Sequence, residues 1–125
     1  MMKAKTFYWI PALCWAGVIF FLSGRTGSEL NRMFSFLGNL NWGHLAAFFI
    51  LSIFVFYALR KTTSGKNIIV TTILICFLYG ISDELHQYFV PGRTPQLLDI
   101  VNDVLGASLG VLAARKWEAV KQDGH

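Results

Sequence analysis

The chain has 125 residues and a formal net charge of +4; 54% of it is hydrophobic and only 14% is charged. A body this small has too much surface for its volume to hide so much apolar side chain, which excludes an ordinary water-soluble domain and points to a membrane protein. With no soluble domain to display it, the basic excess does not read as a nucleic-acid footprint, so no nucleic-acid partner is expected and the charge reads as a topology signal.

A helix needs about 20 mainly apolar residues, at about 1.5 Å each, to cross the hydrocarbon core. Phe7–Leu22 supplies the first crossing. Lysines precede it, as in a secretory signal, but no A-x-A-like cleavage site follows FFLSG, so it is read as a permanent helix ending at Ser23–Gly24–Arg25. The next loop, RTGSELNRMFSFLGNLN, sets Met33, Phe36, Leu37 and Leu40 at helical spacing, which predicts a short helix on the membrane interface. Trp42–Leu59 is the second crossing, and RKTTSGKN is a short polar connection. Ile68–Ile81 reaches membrane length only by continuing through Ser82–Val90, which carries Asp83, Glu84 and His86 with it. Leu97–Ala114 is the fourth crossing, with Asp99, Asn102 and Asp103 crowded at its start. The expected fold is all-α: one polytopic domain over residues 1–125, its four transmembrane helices at about 6–23, 42–60, 67–90 and 97–115.

Short loops rich in Lys and Arg stay on the cytoplasmic side. Lys3, Lys5, Arg60, Lys61, Lys66, Arg115, Lys116 and Lys121 fall on the side of the two termini, against Arg25, Arg32 and Arg93 on the other. Both termini are therefore expected to be cytoplasmic. Ser23–Arg25, His44, the Asp83–Gln87 stretch and the Asp99–Asp103 stretch then collect at the outer end of the bundle. Cys14 and Cys76 fall inside apolar spans and read as small packing residues, and no Cys/His cluster suggests zinc.

Residues three or four apart share a helix face. Asp83, His86, Gln87 and Val90 line one side of the third span, with Glu84 about 100° away. Asp99, Asn102, Asp103 and Gly106 make a matching stripe on the fourth. Pro91–Gly92 suits a tight reversal and Pro95 a helix start, so the two spans form a hairpin whose polar stripes are expected to face each other. Ionisable groups at membrane depth mark function by default. The structural alternative is a clasp in which Arg93 ties Asp83 or Asp99, but four carboxylates outnumber that one arginine. Such a surplus must be wet, protonated or holding a cation. Ser82 beside His86 could act as a nucleophile, although no G-x-S-x-G elbow surrounds it. GASLG, with Gly106 and Gly110, reads first as close helix packing and otherwise as a contact for a homo-oligomer.

SDELHQYFVPGRTPQLLDIVNDVLGASLG resembles the signature of the VanZ-like family of small bacterial membrane proteins. That signature is an acidic–x–His–Gln stretch, a Pro-Gly-Arg turn, an aspartate, an asparagine and spaced glycines. FFLSGR and NWGHLAAFFILS resemble the family's first two helices. The resemblance spans about Trp9 to Gly110 and marks Asp83, Glu84, His86, Gln87, Arg93, Asp99, Asn102, Gly106 and His44. The chain departs from the pattern ahead of Gly43–His44, where it has Asn41–Trp42 and members often carry a lysine. The resemblance implies a bacterial plasma-membrane location and a link to low-level teicoplanin resistance.

The first expectation for function is a binding or handling site for an anionic envelope lipid, with a polyprenyl-phosphate-linked cell-wall intermediate as the natural partner. Its ligand-binding residues would be His44, Asp83, Glu84, His86, Gln87, Arg93, Asp99, Asn102 and Asp103, with Arg93 forking onto phosphate. The alternatives are a metal-assisted or acid–base hydrolase of a lipid headgroup, or a small oligomeric transporter or flippase. The residues require no particular cofactor, but Asp83, Glu84, His86, Asp99 and Asp103 suit a hard divalent metal ion, with His44 or His86 as base. An interaction subunit whose cleft docks a partner is the remaining reading.

Overall fold

The structure, a computed structural model, describes residues 2–24, 41–63, 67–90 and 97–123. Its helices are α1 (Met2–Phe7), α2 (Ile10–Ser23), α3 (Asn41–Thr62), α4 (Ile68–Tyr88) and α5 (Leu97–Asp123). There is no strand among the described residues. Four stretches are long and apolar enough to cross a membrane: Lys5–Ser23, Gly43–Thr62, Ile68–Tyr88 and Leu97–Lys121. The expected interfacial helix around Met33–Leu40, the Pro91–Gly92 turn and Arg93 lie outside the described residues.

The first crossing is interrupted once. Pro11 lacks an N–H, so it is tolerated only in the first turn of a helix, and α2 starts there. Ahead of it, the Tyr8 and Trp9 amides close a turn on the Lys5 and Thr6 carbonyls at 3.2 and 3.0 Å. α1 thereby hands over to α2 with the Tyr8 and Trp9 amides paired, as the apolar layer requires. The third crossing is one continuous helix of 21 residues that carries Asp83, Glu84, His86 and Gln87 in its last turns. α5 runs for 27 residues. At about 1.5 Å per residue, α5 is longer than a hydrocarbon core of about 30 Å. The excess holds Arg115, Lys116, Glu118 and Lys121.

α3 is the central helix. Its Phe48, Leu51, Val55, Phe56 and Leu59 pack with Ala12 and Ile19 of α2, Ile68 and Cys76 of α4, and Ala107 and Val111 of α5. α3 and α5 are the most closely packed pair, because glycines let their backbones meet. A Cβ at Gly106 would lie 2.3 Å from the Leu45 carbonyl oxygen, and one at Gly110 would lie 2.4 Å from that of Phe49. The GASLG face is thus consumed by packing within the chain. Trp15 adds a cross-link between α2 and α3, its indole Nε1 donating to the Ala47 carbonyl at 2.8 Å. Tyr79 likewise donates its hydroxyl to the Ala16 carbonyl, joining α4 to α2.

The distribution of side chains is the reverse of that in a water-soluble bundle. Leu13, Phe20, Phe21, Val70, Leu74, Leu78, Leu85, Leu98, Leu105 and Leu112 are exposed, while Ser23, Ser52, Thr72, Asp83, Glu84, Gln87, Asp99 and Asp103 are buried. Such a surface suits lipid, which is as apolar as leucine and makes turning such side chains inward unnecessary. At one end, Arg60 of α3 forks onto Glu118 of α5 through two bonds of 3.1 Å. The buried carboxylates gather at the other end.

Candidate functional site

The site is assembled from the end of α2, the start of α3, the end of α4 and the start of α5. Two hydrogen-bonded groups form its halves.

In the first, α2 and α4 meet through Ser23, Asp83 and Gln87. The Ser23 hydroxyl donates to Asp83 Oδ1. Gln87 Nε2 donates to Asp83 Oδ2 at 3.3 Å and reaches Ser23 Oγ at 3.4 Å. Asp83 and Gln87 stand one helical turn apart, so a single face of α4 presents both to the same serine. All three are buried.

In the second, α3 and α5 meet through His44 and Asp103. His44 Nδ1 lies 2.9 Å from Asp103 Oδ1. A carboxylate only accepts, so with Asp103 ionised the ring nitrogen is the donor. His44 Nε2 lies 3.9 Å from Asp99 Oδ2, one turn back along α5. Asp103 is wholly buried at 0% exposure. Its Oδ2 has no hydrogen-bond partner among the described residues and lies against Gly80, where a Cβ would come within 2.8 Å of it. Gly80 therefore makes the room in α4 that Asp103 occupies.

The halves meet at Glu84. One donor atom each from His44, Asp83 and Glu84 lies within 4.8 Å of the others. Four carboxylates, an imidazole, an amide and a hydroxyl thus occupy one buried volume spanned by all four crossings. The arrangement can hold a cation, bond a polar headgroup or move a proton between carboxylate and imidazole.

The geometry alters the expected layout of the hairpin. The polar stripes of the third and fourth spans do not simply face each other. Asp83 and Gln87 bond to Ser23 of α2, and Asp103 bonds to His44 of α3. The inward face of α4 is centred on Gly80, Asp83, Glu84 and Gln87, so Glu84 belongs to it. His86 stands at its edge, with its ring stacked on Phe20 at 4.2 Å and 2°. Gly24 closes over that stack, a Cβ there lying 3.4 Å from His86 Cε1. His44, rather than His86, is the imidazole at the centre. Asn102 is half-buried, and Ser82 is exposed, away from the buried group. Arg93, expected to fork onto phosphate, is outside the described residues.

Ser23 was absent from the residues expected at the site. Its signal was available: the chain from Ala12 to Leu22 has no side-chain hydroxyl, and Ser23 ends that run just before Gly24–Arg25.

Fold and site together define a small four-span membrane protein with a polyacidic, histidine-containing centre buried at one end of the bundle. The chain belongs to the VanZ/LLP1 family, whose sequence profile matches residues 7–118. No curated protein and no solved structure matches it significantly. It is a VanZ-like multi-pass membrane protein.

Proposed function

We propose that this protein binds the headgroup of an anionic cell-envelope lipid at the outer leaflet of the bacterial plasma membrane. The observation that carries the reading is the polarity of the bundle. The buried carboxylates collect at one end, and Arg60, Lys61, Arg115 and Lys116 stand at the opposite one. Basic termini and loops stay cytoplasmic, so the polar end faces outward, at headgroup depth. Lipid is the ligand with direct access, because Phe20, Phe21, Ile81, Leu85, Tyr88, Phe89, Leu97 and Leu98 expose apolar surface around that end. Asn102, half-buried at the edge of the site, supplies a hydrogen bond to phosphate or sugar oxygens. Arg93, in the connection between α4 and α5, supplies the guanidinium fork for phosphate. The family's link to teicoplanin resistance favours a polyprenyl-phosphate-linked cell-wall intermediate as the lipid.

Native mass spectrometry of the protein released gently from its own membrane tests the reading. The wild type should carry a polyprenyl phosphate or an anionic phospholipid. Arg93→Ala should lose it, and Arg93→Lys should keep part of it, since a lysine offers a point charge in place of a fork. Bare wild-type protein, or equal retention by all three, would count against headgroup binding.

A further inference from the structure

We propose that His44, Asp83 and Glu84 bind one divalent metal ion of borderline character, of the Mn²⁺ or Zn²⁺ class. The three offer an imidazole nitrogen and two carboxylate oxygens, all within 4.8 Å of one another. A mixed nitrogen and oxygen set suits those ions better than Ca²⁺ or Mg²⁺, which prefer oxygen alone. Three protein ligands also leave a coordination position open.

A second feature sets this group apart from a mere gathering of acids: its ligands are held from behind. Metal-binding histidines give their other ring N–H to a carboxylate, and metal-binding carboxylates are themselves hydrogen-bonded. Asp103 does the first here, taking His44 Nδ1 at 2.9 Å and turning Nε2 away from itself. Ser23 and Gln87 do the second, each donating to one oxygen of Asp83. Asp103 is 0% exposed and its Oδ2 has no hydrogen-bond partner among the described residues. A fully buried carboxylate kept for one bond to an imidazole is a costly arrangement. A cation on the far side of that imidazole offsets the cost through the same hydrogen bond. Bonds of about 2.1 Å draw the three donors inward by small side-chain rotations.

The ion's role rests on the headgroup reading: its open position takes a phosphate oxygen and lets an anion approach four carboxylates. The ion itself is tested without lipid. Purified full-length protein in a neutral detergent is titrated with Mn²⁺ and followed by electron paramagnetic resonance, with Zn²⁺ as competitor. One Mn²⁺ per chain is expected, with an electron spin-echo signal from a directly bonded histidine nitrogen. His44→Ala should abolish that nitrogen signal and weaken binding at least tenfold. Asp103→Asn should weaken binding about tenfold to a hundredfold, as an outer-shell partner does. Arg60→Ala, at the opposite end, should bind as wild type does.

No stoichiometric Mn²⁺, or bound Mn²⁺ with no histidine nitrogen in the wild-type protein, would overturn the site, and neither result depends on a variant that folds. Lipid retention in the presence of chelator separates the two readings. Lipid retained by a protein that binds no metal leaves the headgroup reading standing and removes this one. Metal bound by a protein that retains no lipid does the reverse.

Discussion

Asp103 and His44, 59 residues apart in sequence, are joined by a 2.9 Å hydrogen bond that ties α5 to α3. It fixes the ring orientation of the histidine at the centre of the site, and among the described residues it is the one hydrogen bond that the wholly buried Asp103 carboxylate makes. The two side chains should therefore act as a unit. Asp103→Ala strands the imidazole N–H and should lower stability by about 1–3 kcal/mol. Asp103→Asn keeps an acceptor and should cost less. In a double-mutant cycle with His44→Ala, the losses should fall short of additive by about 0.5–3 kcal/mol. Thermal unfolding in detergent reads all three, and strict additivity would mean that the bond contributes nothing.

Ser23 is the hydroxyl through which α2 joins the site. Ser23→Ala removes a donor to Asp83 and an acceptor for Gln87 in a buried setting. A stability loss of about 1–3 kcal/mol is expected. Lipid retention should fall with it, because Asp83 loses its orientation. Unchanged stability and unchanged retention in Ser23→Ala would show that the α2 end stands apart from the site.

The glycines of α5 give a sharper contrast. Gly106→Ala drives a methyl to 2.3 Å from the Leu45 carbonyl oxygen, against backbone that cannot turn aside. Forcing α3 and α5 apart should cost about 1–3 kcal/mol. A Cβ at Gly17 of α2 meets nothing within 4 Å. Gly17→Ala should be neutral or stabilising by up to about 1 kcal/mol, from helix propensity alone. Equal melting temperatures for the two variants would contradict the α3–α5 packing described above.

The Arg60–Glu118 pair at the other end is half exposed. Exposed pairs contribute about 1 kcal/mol at most, even with two bonds. Arg60→Ala should leave the melting temperature nearly unchanged and lipid retention intact. Its position also gives the orientation test: a cysteine placed at Lys121 should react with a membrane-impermeant thiol reagent only after the inner face is opened.

The crossings were legible in the sequence because the bilayer imposes a length, and four apolar runs meet it. The reach of the third span through Asp83 and His86 was legible for the same reason, since Ile68–Ile81 alone is too short. The gathering of polar residues at one end followed from alternation of spans. Which side chains meet was another matter. Helical spacing put Asp83 and His86 on one stripe, but α4 packs against α2, α3 and α5 together, so its buried sector is wide enough to include Glu84. His86 falls at the rim of that sector, against Phe20. Spacing along one helix carries no information about the neighbours on either side, and for that reason it could not single out Ser23 or rank His44 above His86.

The proposed headgroup site at the polar end of the bundle lies in the outer leaflet. Photo-crosslinking reads it most directly: membranes carrying the protein are given an anionic lipid with a photoreactive headgroup, and the adducts are mapped by peptide mass spectrometry. The account predicts adducts at Ser23–Gly24, Ser82–Phe89 and Leu97–Asp103, suppressed by excess unlabelled anionic lipid and lost in Arg93→Ala. Adducts centred on Arg60 and Arg115, or spread evenly along the lipid-facing helices and indifferent to Arg93→Ala, would contradict it.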